Sequence, residues 1–89
     1  MAVVVLFAPL KELAGGNGTV RVVGATVKDS IRALEAAHPK IVGRVLDETG
    51  ALRRHVNIFV EGSRAGIDAG IGDETEITII HAISGGTHG

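Results

Sequence analysis

The sequence predicts a small α+β domain in which a mixed sheet packs on one main helix. Three observations carry this expectation. The apolar residues fall in short, mostly β-branched runs, one stretch alone has clear helical spacing, and turn-forming residues separate the runs. A chain of 89 residues has room for one core. With 45% of residues hydrophobic but only 2% aromatic, Val, Ile, Leu and Ala must build it.

Residues 2–7, Ala-Val-Val-Val-Leu-Phe, form a continuous run that reads as a strand buried on both faces. Pro9 removes a backbone donor and closes it. Residues 10–14 can make one helical turn before Gly15-Gly16-Asn17-Gly18, a cluster that supplies positive φ cheaply. Residues 19–23 read as a second strand, with Val20 and Val22 on one face, pairing with the first. Thr26 and Asp29 have the spacing of a capping box at a helix start. Behind them Val27, Ile31, Leu34 and Ala37 make one apolar stripe, leaving Lys28, Arg32 and Glu35 facing outward.

Pro39 ends this helix near His38. Ile41, Val42, Val45 and Leu46 suggest a further short helical turn before a polar loop at residues 47–50. Residues 55–60 alternate with period two, placing Val56, Ile58 and Val60 inward and His55, Asn57 and Phe59 outward. Glu61-Gly62-Ser63 is a turn, residues 64–68 a short edge strand, residues 69–72 a connector, and residues 76–80 the last strand. The domain so defined covers residues 1–83. Residues 84–89 carry no apolar anchor and are expected to form a flexible tail. The first and last strands are the most uniformly apolar, as parallel neighbours at a sheet centre require. That order is the ubiquitin-like β-grasp arrangement: a five-stranded mixed sheet on one helix.

Charge and residue inventory narrow the function. Nine Lys and Arg against ten Asp and Glu give a net charge of -1, and Phe7 and Phe59 are the aromatic residues. The chain thus lacks a cationic field for phosphates and stacking platforms for bases, which disfavours nucleic acid. Without cysteine there is no disulfide, thiolate zinc site or thiol nucleophile. The apolar start is too short to span a membrane and lacks the basic flank of a signal peptide, so no membrane partner and a cytoplasmic location are expected. His38, His55, His81 and His88 fall in different elements without ligand spacing and read as surface histidines, not a metal site. The carboxylates are scattered, and neither Ser63 nor Ser84 lies in a nucleophile elbow. A carrier or binding role is therefore expected, not an enzyme. Gly85-Gly86 is the informative pair, because a backbone without Cβ atoms can thread a narrow cleft in another protein.

Several segments carry a resemblance in their order and spacing. They are residues 5–15 (Val-Leu-Phe-Ala-Pro-Leu-Lys-Glu-Leu-Ala-Gly), Ala25-Thr26-Val27, Val60-Glu61-Gly62, residues 72–77 (Gly-Asp-Glu-Thr-Glu-Ile) and Ile83-Ser84-Gly85-Gly86. Together they resemble the MoaD/ThiS family of ubiquitin-like sulfur carrier proteins, nearly end to end. Phe7 and Leu13 look like the molybdopterin synthase small subunit, while residues 55–60 look more like the carrier that serves cysteine synthesis.

The resemblance implies that the Gly86 carboxylate is adenylated by an ATP-dependent activating enzyme and converted to a thiocarboxylate. This would donate sulfur, through an acceptor synthase, in cysteine, cofactor or related metabolite biosynthesis. It also implies that Gly85 and Ser84 thread the partner's cleft, and that Phe7 and Ile80, with Phe59 nearby, dock the partner. ATP and any zinc would belong to that partner and not to this chain.

Thr87-His88-Gly89 departs from the pattern, since an internal Gly86 carbonyl is an amide with no carboxylate to adenylate. Either a metal-dependent JAMM-type peptidase removes the tripeptide, the favoured reading, or Gly89 is the mature end. A molybdopterin synthase small subunit and a ubiquitin-like modifier conjugated to lysines are alternatives on the same fold.

Overall fold

A computed structural model describes residues 1–81. The sheet contains β1 (Ala2–Leu6), β2 (Thr19–Val22), β3 (Val56–Val60), β4 (Ser63–Ala65) and β5 (Glu76–His81). The helices are α1 (Leu10–Leu13) and α2 (Val27–Ala37), followed by a 3-10 turn at Pro39–Ile41. The strand order is β2-β1-β5-β3-β4. β1 and β5 pair in parallel at the centre, with Val4 opposite Ile77 and Leu6 opposite Ile79, and the other pairings are antiparallel. This is the expected mixed five-stranded sheet with its first and last strands adjacent.

The core lies between the inner face of the sheet and α2. Ala2, Val4, Leu6, Val56, Ile58, Ile77 and Ile79 enter it from the strands, and Val27, Ile31 and Leu34 from the helix. Among the described residues, the outer face has no second layer. β1 is therefore not buried on both faces: Val3 and Val5 are only half-buried, and Phe7 falls beyond the strand and is 52% exposed.

The helix start forms as the sequence requires. Thr26 Oγ1 accepts from Asp29 N at 3.1 Å, and Asp29 Oδ2 accepts from Thr26 N at 3.2 Å. The remaining first-turn amides find partners far along the chain, Val27 N donating to Ala69 O and Lys28 N to Ile67 O. That bonding explains why the edge strand is shorter than expected. Ile67 and Ala69 give their carbonyls to α2, so residues 66–71 cap the helix instead of extending β4 from Ser63–Ala65.

Two residues of α2 depart from the expected faces. Ala37 is exposed, and Ile41 on the 3-10 turn is the next buried apolar side chain. Glu35 is buried instead of outward. It shares a helix flank with Lys28 and Arg32, against which the segment at Gly50 packs, and its Oε1 accepts from Arg32 Nη1 at 2.9 Å.

Candidate functional site

The alternation that buries one side of the sheet presents Val3 and Val5 of β1, Thr78 and Ile80 of β5, Asn57 and Phe59 of β3 and Arg64 of β4 on the other. Register arranges these side chains in rows. One row runs Val5, Thr78, Phe59, Arg64, each the strand partner of the next. In the next row towards the end of β5, Ile80 is opposite Asn57. Phe7 follows Leu6, the partner of Ile79, and so lies level with Ile80.

The three residues expected to dock a partner thus share one face. Phe7 is 52% and Ile80 38% exposed, while Phe59 is half-buried between its strand neighbours and not fully outward. They form an apolar patch at the end of the sheet where β5 leads the chain towards its C-terminus. Ser84, Gly85 and Gly86 lie outside the described residues, as does the expected boundary at residue 83.

Behind the patch, a groove of about 550 Å³ opens between the segment at residues 47–55 and the end of β5. Arg53, Arg54, His55 and His81 line it together with Asp47 and Glu48, so opposite charges balance there. Asp47 is committed to its own loop. Its Oδ1 accepts from Thr49 Oγ1 at 2.6 Å, Thr49 N at 2.8 Å and Ala51 N at 3.1 Å. These bonds, the Thr49 hydroxyl foremost, hold its carboxyl below the usual range, and the positive charge of Arg53 adds to them.

His55 is exposed, whereas His38 and His81 are half-buried and so are not plain surface residues. Nδ1 of His81 is buried and has no hydrogen-bond partner among the described residues. Among the described residues, no three His, Asp or Glu side chains converge on a position that could hold a metal ion. No helix among them is long and apolar enough to cross a membrane.

Residue-type reasoning missed Arg64 and the groove arginines, because their placement depends on pairing between β3, β4 and β5. A turn of three residues, Glu61-Gly62-Ser63, would set Arg64 opposite Val60; the turn closes in two, which sets it opposite Phe59. What these residues offer chemically is an exposed apolar patch with a cation in the adjoining row, near the end of the last described strand.

Comparison with known proteins agrees with this geometry. The chain is 38% identical over 84 residues to small archaeal modifier protein 1 of Haloferax volcanii, covering 91% of this chain and 95% of that one. A crystal structure of the Haloferax protein superposes with a TM-score of 0.85 at 36% identity, covering 94% of this chain and 97% of that one. A chain of the BexX/CysO complex of Amycolatopsis orientalis gives a TM-score of 0.86 at 29% identity, with 96% and 99% covered. The sequence pattern of the ThiS family matches residues 4–86, from within β1 through all the later strands and helices of the described residues, and stops at the second glycine of the Gly-Gly pair. A β-grasp sheet with an apolar outer patch, and a family match running through Gly86, place this chain in the ThiS family of ubiquitin-like sulfur carriers and modifiers.

Proposed function

We propose that this chain is a sulfur carrier serving as co-substrate of partner enzymes, with Gly86 as its functional terminus. The single observation that carries the reading is the extent of the family match, which ends at Gly86 and leaves Thr87-His88-Gly89 beyond it. A carboxylate at Gly86 would attack the α-phosphate of ATP held by an activating enzyme and release pyrophosphate. Sulfide from a donor would then attack the acyl carbon and expel AMP, leaving a thiocarboxylate. ATP, and any zinc, are contributed by the partner.

The apolar patch supports the same reading. Phe7, Ile80 and Phe59 stand on the face from which β5 runs on, and Gly86 is five residues past His81, a reach of at most about 18 Å. Docking through the patch would deliver Ser84, Gly85 and Gly86 into a cleft that only a backbone with small side chains can thread. A JAMM-type peptidase would first remove Thr87-His88-Gly89, and an acceptor synthase would consume the sulfur in cysteine, cofactor or related metabolite biosynthesis. Such traffic with ATP-dependent enzymes belongs in the cytoplasm.

The test compares the full-length, Gly86-ended and Gly85-ended proteins with the adenylating enzyme of the same organism, ATP and a sulfur donor, reading thiocarboxylate by intact mass. Only the Gly86-ended form should load efficiently. The Gly85-ended form should fall by about 10²-fold, since one lost residue displaces the carboxylate by about 3.5 Å. Loading of the full-length chain at Gly89, with none on the Gly86-ended form, would overturn the assignment. A second reading, as a protein modifier, is favoured by the 38% identity to small archaeal modifier protein 1. It predicts isopeptide bonds between Gly86 and lysine side chains in the native host, visible by peptide mass spectrometry.

A further inference from the structure

The outer sheet face carries its charges unevenly. Near the start of β5, Glu76 is exposed on this face, and Glu61 Oε2 accepts from Glu76 N at 2.6 Å. Glu74 pairs with Arg21 at 2.9 Å at the same end. Four residues along β5, about 13 Å away, lies Ile80, and there the polar group is a cation.

Arg64 is the strand partner of Phe59, but its guanidinium reaches diagonally across β3 and donates from Nη2 to Asn57 Oδ1 at 2.6 Å. Asn57 is in turn the partner of Ile80. The charge is therefore held in the row of Ile80 and Phe7, against the apolar patch. Asn57 is a neutral amide, so it orients the guanidinium without neutralising it. Among the described residues, no carboxylate lies within ion-pair distance of Arg64. A planar fork with most of its N–H donors open, already restrained by one hydrogen bond, suits bidentate capture of a carboxylate.

We propose that Arg64 is the specificity-determining residue of this face and takes a carboxylate of the adenylating enzyme, set beside the apolar surface that covers Phe7 and Ile80. The proposal rests on the carrier reading above and names the partner chemistry of the same face. An apolar patch alone permits several orientations. The other end also carries a cation, Arg21, but Glu74 already holds it, which leaves Glu76 and Glu61 there. This asymmetry permits one orientation, because a half-turn would bring the partner's carboxylate against Glu76. Asn57 acts as a positioning residue for the guanidinium.

The experiment measures the Kd of the Gly86-ended protein for the adenylating enzyme of the same organism by calorimetry, at about 0.05 M and about 0.5 M salt. Arg64→Gln should weaken binding about tenfold at low salt with an unchanged melting temperature, and the difference should shrink at high salt. Arg64→Lys should recover only part of the loss, because an ammonium lacks the planar fork. Asn57→Ala should give a smaller loss of the same salt dependence. If Phe7→Asp abolishes binding while Arg64→Gln leaves Kd unchanged, the assignment to Arg64 is wrong and the carrier reading stands. If the parent protein does not bind the enzyme at all, both fall together.

Discussion

Asp47 shows how one side chain can organise a segment that has no regular structure. A single carboxylate oxygen accepts from the Thr49 hydroxyl and from the amides of Thr49 and Ala51, while its backbone N donates to Ala51 O at 2.8 Å. Those bonds favour the charged form and lower its pKa, the Thr49 hydroxyl most strongly. A carboxyl with a depressed folded-state pKa stabilises the fold above its unfolded value, near pH 4, and loses that contribution as pH falls through the folded value. Asp47→Ala should therefore lower the melting temperature near neutral pH, with the gap from the parent closing below about pH 4. Circular-dichroism melts from about pH 2 to about pH 7 check this. A gap independent of pH would assign the effect to lost packing instead. Gly24 makes the complementary case, that of an absent side chain. A Cβ there would stand 2.7 Å from Ser30 Oγ and 2.8 Å from Ser30 N, so the close approach of this segment to α2 requires glycine.

At the scale of elements, α2 is the piece whose formation and placement are most fully explained. Its capping box is local, its apolar stripe through Val27, Ile31 and Leu34 is fully buried, and the amides of Val27 and Lys28 are satisfied by Ala69 and Ile67. Leu34→Ala should cost about 2–5 kcal/mol in urea unfolding, because the side chain is wholly enclosed between helix and sheet. A loss below about 1 kcal/mol would show that the core collapses around the gap. A turn at Glu61-Gly62-Ser63 was also readable, but it closes in two residues, Glu61 at φ 50° and Gly62 at φ 85°, both left-handed, so β4 begins at Ser63 and not at Arg64. The end of β4 was not readable. Whether Ile67 continues a strand depends on the amide of Lys28, distant in sequence, which takes its carbonyl.

Across the whole molecule, the parallel pairing of β1 with β5 joins the beginning of the chain to the last described strand. Each of these strands is hydrogen-bonded on both sides, whereas β2 and β4 are edges. Amide exchange should therefore be slowest at Val4, Leu6, Ile77 and Ile79, and faster by about tenfold or more at Arg21 and Arg64. Hydrogen-exchange NMR reads the ranking directly, and equal protection at the edges would mean that the sheet opens only as one unit. The same pairing positions the candidate site. It brings Phe7 level with Ile80, and the pairing of β5 with β3 adds Phe59 and Asn57. Phe7, Phe59 and Ile80 could thus be singled out one by one in the sequence, but their contiguity could not.

What the sequence by itself determined is whatever short-range chemistry controls: the capping box of Thr26 and Asp29, the turns at Gly15 and Gly62, the period-two strand at Val56–Val60 and the glycine pair at Gly85-Gly86. The apolar character of β1 and β5 also sufficed to place them together at the sheet centre. The tertiary structure alone decided which face of β1 stays open, why Glu35 is buried, and where β4 ends. It also decided that the Arg64 guanidinium is held by Asn57, the strand partner of Ile80. The reason is physical: periodicity and capping act over one or two turns, whereas solvent exposure and hydrogen-bond partners depend on segments that meet only when the sheet has closed.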